Sequence, residues 1–227
     1  MAENAQWELC GTPRAARGAG ALLIAATILE VAVMAHHPSI KTQNLAHAIE
    51  ELRTMVALSA WVHGALIALM LASYYGFTQF ALLRGLHRSL VRVGLIAYTV
   101  GVFAMIGAAL IDGFVCPRVA LPTVELGLGD IRVTGQILVL CGLLNQAAAN
   151  LGAVAMSAGI AAWSLGLLRG AGLQRTIGVL GVLVGLGPAA ALVFGAIALN
   201  VHGMLLVVIL QAIWTVGIGT LLLTQRA

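Results

Sequence analysis

Long uncharged runs of mostly apolar residues, separated by short polar stretches, dominate this chain of 227 residues. A helix needs about 20 apolar residues to cross about 30 Å of hydrocarbon, and its backbone groups must be hydrogen-bonded within the segment. The last uncharged run, residues 176–225, is long enough for two crossings and divides at the polar residues 200–203. The pattern therefore predicts an all-α integral membrane bundle of six transmembrane helices in a single domain, at approximately residues 18–36, 54–83, 93–112, 134–168, 176–199 and 201–223.

The polar stretches indicate where these helices begin and end. Pro38 is expected to end the first span, and an amphipathic helix from about residue 42, capped by Gln43 or Asn44, leads into the second. The third span is expected to end at Asp112. Residues 114–133, which are rich in proline, glycine and charge, are expected to form a loop with some local helix.

The first span also has features of a secretory signal peptide, with small residues before a cleavage point after Ala35. Cleavage there would leave His36 as a new N-terminus, and its amino group would suit copper. However, Glu30 interrupts the region that a signal peptide keeps apolar. We interpret residues 18–36 as a retained first span.

Composition and charge support a membrane protein and indicate its orientation. The chain is 61% hydrophobic and only 9% charged, whereas about a quarter of the residues of soluble domains are charged. With a cytoplasmic N-terminus, the inner basic residues are Arg14, Arg17, Arg84, Arg88, Arg92, Arg169, Arg175 and Arg226, and the outer ones are Lys41, Arg53, Arg118 and Arg132. This distribution predicts N-in/C-in topology, and we expect the protein in a bacterial cytoplasmic (inner) membrane, with the lipid bilayer as its partner. The basic residues are not interleaved with aromatic ones, so no nucleic acid partner is expected.

This topology brings most ionisable residues of the apolar chain to the outer side. Five of the six histidines fall in the outer half or in the outer link between spans one and two. Glu30, Met34 and His37 follow i, i+4, i+7 spacing and share one helix face. His47 and Glu51 are four residues apart and also share a face. Ionisable groups at membrane depth are costly, so such a cluster is usually paired or functional.

The residue types in the cluster favour a metal or haem site. Imidazole with carboxylate suits copper, iron or zinc, and nearby thioethers would favour Cu(I). The candidate metal ligands are His36, His37, His47, Glu51, His63, Asp112 and His202. Haem b would instead need axial histidines from facing helices, for which His63 and His202 are the natural pair. Glu30 is the candidate catalytic residue, as a base or proton carrier beside a ligating histidine. We therefore expect a metal- or haem-binding membrane protein, redox-active rather than hydrolytic, with its site near the extracytoplasmic face.

Two other functions fit the same residues. Glu30, His63 and Asp112 are suited to the relay of a proton-coupled small-molecule transporter, although the chain lacks the paired broken helices of inverted repeats. Dimerisation would compensate for the short chain of such a transporter, so a homo-oligomer is one candidate partner. The protein also fits a non-catalytic subunit or assembly factor of a larger membrane complex. The sequence has no HExxH, P-loop or GxSxG motif, and its three cysteines form no CxxC pair. If the protein is an enzyme, we expect a membrane-bound metal-dependent oxidoreductase.

A purely structural interpretation is that Glu30 and His63 neutralise each other. Their depths in the bundle are similar, and each alone would be an unpaired ionisable group in a medium of low dielectric constant. We therefore expect the two side chains to lie within reach of each other, directly or through a water or a metal. The methionines are expected to fill gaps in the packing.

Overall fold

The computed structural model describes residues 13–40, 42, 44–121 and 128–225, and the regular structure of these residues is helical. The elements are α1 (Pro13–Ala35), α2 (Leu45–Thr54), α3 (Val56–Arg84), α4 (Ser89–Leu110), a π-helical turn (Ile111–Val115), α5 (Cys116–Ala120), α6 (Leu128–Leu167), α7 (Leu173–Val193) and α8 (Val201–Leu223). Among the described residues, six helical segments are long and apolar enough to cross a membrane. The predicted six-helix membrane bundle is confirmed.

The six long helices form a closed ring in chain order. Each of α1, α3, α4, α6, α7 and α8 packs against the next one along the chain, and α8 packs against α1. Because consecutive helices run in opposite directions, the α1–α2 link, the π turn and the start of α8 lie at one end of the bundle. We call this the His37 end. The other end, which carries the α3–α4 turn, is the Arg88 end.

Glycines let the first and last helices of the ring approach each other closely. A Cβ atom placed on Gly20 would lie 2.6 Å from the carbonyl oxygen of Gly219, and one placed on Gly219 would lie 2.9 Å from that of Gly20. Only glycine permits this approach, which is typical of membrane helices that pack through small residues. The contact closes the ring.

The two halves of the bundle are filled differently. Towards the Arg88 end, aromatic rings from α3, α6 and α8 occupy the axis: Phe77 stacks on Trp163 and Trp214 with ring centroids 5.3 and 5.5 Å apart. All three rings are buried. Towards the His37 end the axis is hollow, with a cavity of about 450 Å³ that reaches the exposed residues Ser39 and Ile40. The site described below lies at the mouth of this cavity.

Most of the expected boundaries are close to those observed. The amphipathic helix is α2, and Asn44 caps it by accepting a hydrogen bond from the His47 N–H; Gln43 lies outside the described residues. The polar stretch at residue 200 does divide the final run, because Asn200 caps α8 by accepting from the Gly203 N–H at 2.9 Å. The fifth span, α7, ends at Val193, earlier than the predicted residue 199.

The predicted end of the third span was wrong. The helix does not stop at Asp112; the π turn carries it into α5, which continues to Ala120. Residues 114–120 are therefore helical, and α6 already begins at Leu128, so little of the expected loop over residues 114–133 remains. Pro117 is compatible with this path because it comes just after the π turn, where wider hydrogen bonding already interrupts the regular helical ladder.

Candidate functional site

Two adjacent histidines follow α1 and are placed differently. The His36 ring is exposed, and its Nδ1 lies 2.9 Å from the carbonyl oxygen of Ala32, one turn back along the helix. Pro38 ends the helical path, and the ring of His37 turns into the bundle with its Nδ1 2.8 Å from the Pro38 carbonyl oxygen. The side chain of His37 is only 12% exposed. Of the pair, only His37 therefore points its Nε2 into the bundle.

His63 lies two turns into α3 and is 3% exposed. Its Nδ1 is 2.8 Å from the carbonyl oxygen of Ser59, one turn earlier. Because a carbonyl oxygen can only accept, this contact places a proton on Nδ1, as the corresponding contact to Pro38 does in His37. In the neutral form, both rings therefore present the lone pair of Nε2 to the interior.

The third member of the site is Asp112, which the π turn between α4 and α5 positions. Such turns insert one extra residue into a helix and frequently occur at functional sites. The next residue, Gly113, is buried against His63: a Cβ atom placed there would overlap the Cβ and ring atoms of that histidine. The absence of a side chain at Gly113 allows α3 and the π turn to bring His63 and Asp112 together.

Three atoms meet at the mouth of the cavity. His37 Nε2 lies 2.9 Å from His63 Nε2, His63 Nε2 lies 3.1 Å from Asp112 Oδ2, and His37 Nε2 lies 3.6 Å from the same oxygen. We call these three residues the triad. With both histidines neutral, all three atoms are acceptors with no proton between them. Acceptor lone pairs at these distances repel one another unless a cation lies among them.

The electrostatic setting of His37, which lies beyond the end of α1, favours its neutral form. Burial lowers the pKa of His37 below its usual value, and the neighbouring His63 lowers it further, while Asp112 and the hydrogen bond to Pro38 act in the opposite direction. A neutral imidazole is the form that binds metals. The surroundings of His37 therefore favour the neutral imidazole, the form that can bind a metal ion.

The triad fits the requirements of a metal site. Ligand atoms about 2.1 Å from one ion and at octahedral or tetrahedral angles lie about 3.0–3.4 Å apart, within about 0.2 Å of the three separations observed. Each histidine donates its other N–H to a backbone carbonyl, the arrangement that fixes ring orientation in most metal sites. Two imidazoles with one carboxylate are the ligand set of non-haem iron(II) sites and of several catalytic zinc sites. Among the described residues, this trio is the group of metal-binding side chains that converges.

The structure divides the predicted site residues into two sets. His37, His63 and Asp112 form the triad, and Glu30 lies deeper in the same cavity. The remaining four are not brought to it. His36, His47 and His202 are exposed, and Glu51 lies half-buried on α2. The haem pair of His63 and His202 is not assembled, because His202 does not line the cavity.

The expected direct pairing of Glu30 with His63 is not formed. Glu30 Oε1 instead accepts a hydrogen bond from the Ser73 hydroxyl at 3.0 Å, and His63 bonds to the other two members of the triad. Ser73 lies ten residues beyond His63 on α3, or about 15 Å along the helix. Glu30 and His63 therefore line the same cavity at different depths.

Three residues that hold the triad in place were not predicted from the sequence. The Ser59 and Pro38 carbonyls fix the histidine rings, and Gly113 makes room for His63. The Ser59–His63 spacing of four was visible in the sequence as a polar pair within an apolar helix. The contact of Gly113 was not, because it depends on how α3 and the π turn are rotated.

Comparison with protein-family models, with curated protein sequences and with solved structures finds no match to this chain. Fold and site together define the class: a helical membrane protein with a His/His/Asp triad at one end of its bundle, suited to a metal ion.

Proposed function

We propose that this protein binds one divalent transition-metal ion through His37 Nε2, His63 Nε2 and Asp112 Oδ2. One observation carries the proposal: three acceptor atoms face one another within 3.6 Å while both histidine Nδ1 protons are held by backbone carbonyls. A single proton would bridge only one pair of these atoms. A metal ion satisfies all three.

The same geometry supports a redox-active ion. A site with two histidines and one carboxylate leaves coordination positions open, and in proteins such sites commonly hold iron(II). When bound, iron or copper would supply one-electron chemistry, whereas zinc would act only as a Lewis acid. The cavity beneath the triad offers a space in which a second molecule could approach the open positions. We propose an oxidoreductase role on these grounds, and the arginine distribution supports placing the His37 end on the extracytoplasmic face of a bacterial inner membrane.

Metal titration of the purified, metal-stripped protein tests the proposal. Co²⁺ is a suitable probe because its visible spectrum reports the number and type of ligands, and iron, copper and zinc are then compared in competition. We expect one ion per chain. His37→Gln or His63→Gln should weaken binding by more than the ~10- to 100-fold loss that follows removal of an outer-shell partner.

His36→Gln is the matched control, because it makes the same substitution in the adjacent, exposed histidine. It should bind Co²⁺ as the wild type does. Binding that persists in both triad variants, or that His36→Gln weakens equally, would refute the proposed site. So would a protein that binds none of the four metals stoichiometrically.

A further inference from the structure

The cavity beneath the triad is much larger than a metal ion requires. Its volume is about 450 Å³, within the range of pockets that hold small organic molecules. Every helix of the ring except α7 contributes to its lining. The floor consists of Phe77, which belongs to the aromatic stack of the Arg88 end, and Tyr98, which packs against Phe77 and Trp163. The cavity is therefore large enough to hold a small organic molecule in addition to a metal ion.

The charges lining the cavity are of one sign. Two carboxylates, Glu30 and Asp112, face it, and the described residues that line it include no lysine or arginine; its two histidines, His37 and His63, are the neutral ligands of the triad. A divalent ion in the triad would offset the charge of Asp112, so Glu30 supplies the negative charge at the deep end in either state. A cavity with low-dielectric walls and one sign of charge concentrates ions of the opposite sign. The lining therefore favours a cation over an anion.

The polar groups at the deep end are incompletely satisfied. Ser73 donates a hydrogen bond to Oε1 of Glu30 at 3.0 Å. Thr27, one turn before Glu30 on α1, is 3% exposed, and its Oγ1 has no hydrogen-bond partner in the described structure. Both residues line the cavity. A buried hydroxyl without a partner costs free energy, and a cation beside its oxygen offsets part of that cost through an ion–dipole contact.

Flexible methionine side chains make up much of the remaining lining. All six methionines after Met1 line this cavity: Met34, Met55, Met70, Met105, Met156 and Met204. Methionine side chains are flexible and polarisable, and they are over-represented at surfaces that accept varied apolar ligands. Phe77 and Tyr98 add aromatic faces, which attract cations.

We propose that the deep end of this cavity binds a lipophilic organic cation, such as a hydrophobic amine or quaternary onium ion, with the Glu30 carboxylate as its counter-ion. The positive centre lies at Glu30 between Thr27, Ser73 and the aromatic floor, and the apolar substituents pack among the methionines. This site is separate from the triad, since Glu30 is seven residues before His37, or about 10 Å along the helix direction. It does not depend on a bound metal.

Binding of tetraphenylphosphonium to the detergent-purified protein tests the proposal, because this cation has a permanent charge and cannot exchange a proton. We expect saturable binding that Glu30→Gln weakens at least tenfold and that Glu30→Asp, which keeps the charge, largely retains. Glu50→Gln is the matched control: Glu50 is exposed on α2, pairs with Arg53 at 2.7 Å and does not line the cavity. It should leave the affinity unchanged.

A neutral compound of nearly the same shape, tetraphenylsilane, measures how much of the affinity depends on charge. It should bind at least tenfold more weakly than the cation. Equal affinity for the two compounds, or equal affinity of wild type and Glu30→Gln for the cation, would overturn the proposal in favour of a site for neutral apolar molecules. Monodisperse elution and an unchanged helical spectrum of Glu30→Gln ensure that lost binding reflects the carboxylate and not misfolding. Metal-stripped protein is used throughout, so a negative result would count against the cation site and not against metal binding by the triad.

Discussion

Gly113 offers the sharpest test of how the triad is held together. In Gly113→Ala the new methyl group would overlap the Cβ and ring of His63, so either the π turn or the histidine must move. Both carry a member of the triad. Adding one methyl to a packed position typically costs about 1–3 kcal/mol, and because 1 kcal/mol corresponds to about 2–4 °C in a protein of this size, the unfolding midpoint should fall by roughly 2–12 °C.

The same displacement should weaken metal binding. A shift of His63 away from the other two ligands removes part of the coordination shell, and disturbing the residues that orient a ligand typically costs about 10- to 100-fold in metal affinity. Co²⁺ titration measures this loss, and thermal unfolding followed by tryptophan fluorescence measures the stability change on the same sample.

Gly107→Ala is the control, two turns earlier on α4. A Cβ atom at Gly107 meets nothing within 4 Å, and alanine in a helix interior is favoured over glycine by about 0.5–1 kcal/mol. This variant should be as stable as the wild type or slightly more stable, with unchanged Co²⁺ affinity. If Gly113→Ala behaved like Gly107→Ala in both assays, the close contact of Gly113 with His63 would not be what positions the triad.

Because Glu30 and His63 have separate partners, the stability changes of Glu30→Gln and His63→Gln should add within about 0.5 kcal/mol in the double variant; a large deviation would restore the direct pair. Cysteines introduced at Arg88 and Arg169 should resist a membrane-impermeant thiol reagent in intact cells, and labelling from outside would reverse the expected topology. Trp214→Ala removes a fully buried ring from the aromatic stack and should destabilise the bundle by about 3–5 kcal/mol, whereas loss of the exposed Trp61 ring should change the midpoint little.

The helices could be predicted because hydrocarbon imposes a length and a composition that the chain displays directly. Apolar runs located all six spans, and the amphipathic link was recognised from Asn44 and the residues after it. The third span was misjudged for a specific reason. A charged residue followed by glycine, as at Asp112, usually ends a membrane helix, but here a π turn directs the carboxylate inward and the helix continues to Ala120.

The site could be predicted only as a set of residues larger than the one that the structure brings together. The sequence placed His36, His37 and His202 at the same end of the bundle, and nothing in their spacing distinguishes a ring that faces the axis from one that faces outward. That distinction depends on the rotation of each helix within the ring and on the backbone at Pro38. Packing between helices sets both, and the packing partners lie far apart in the sequence.

The unequal filling of the two halves has an electrical consequence. A water-accessible cavity lies close to the potential of the solution to which it opens, so most of a transmembrane voltage falls across the densely packed half around Phe77, Trp163 and Trp214. Moving one charge through the full voltage is worth about 2.3 kcal/mol per 100 mV. A cation that reaches the triad or Glu30 from the His37 end crosses only a small part of that drop. Its binding at either place is therefore nearly independent of the membrane potential, and the voltage acts only on a charge that passes the aromatic stack.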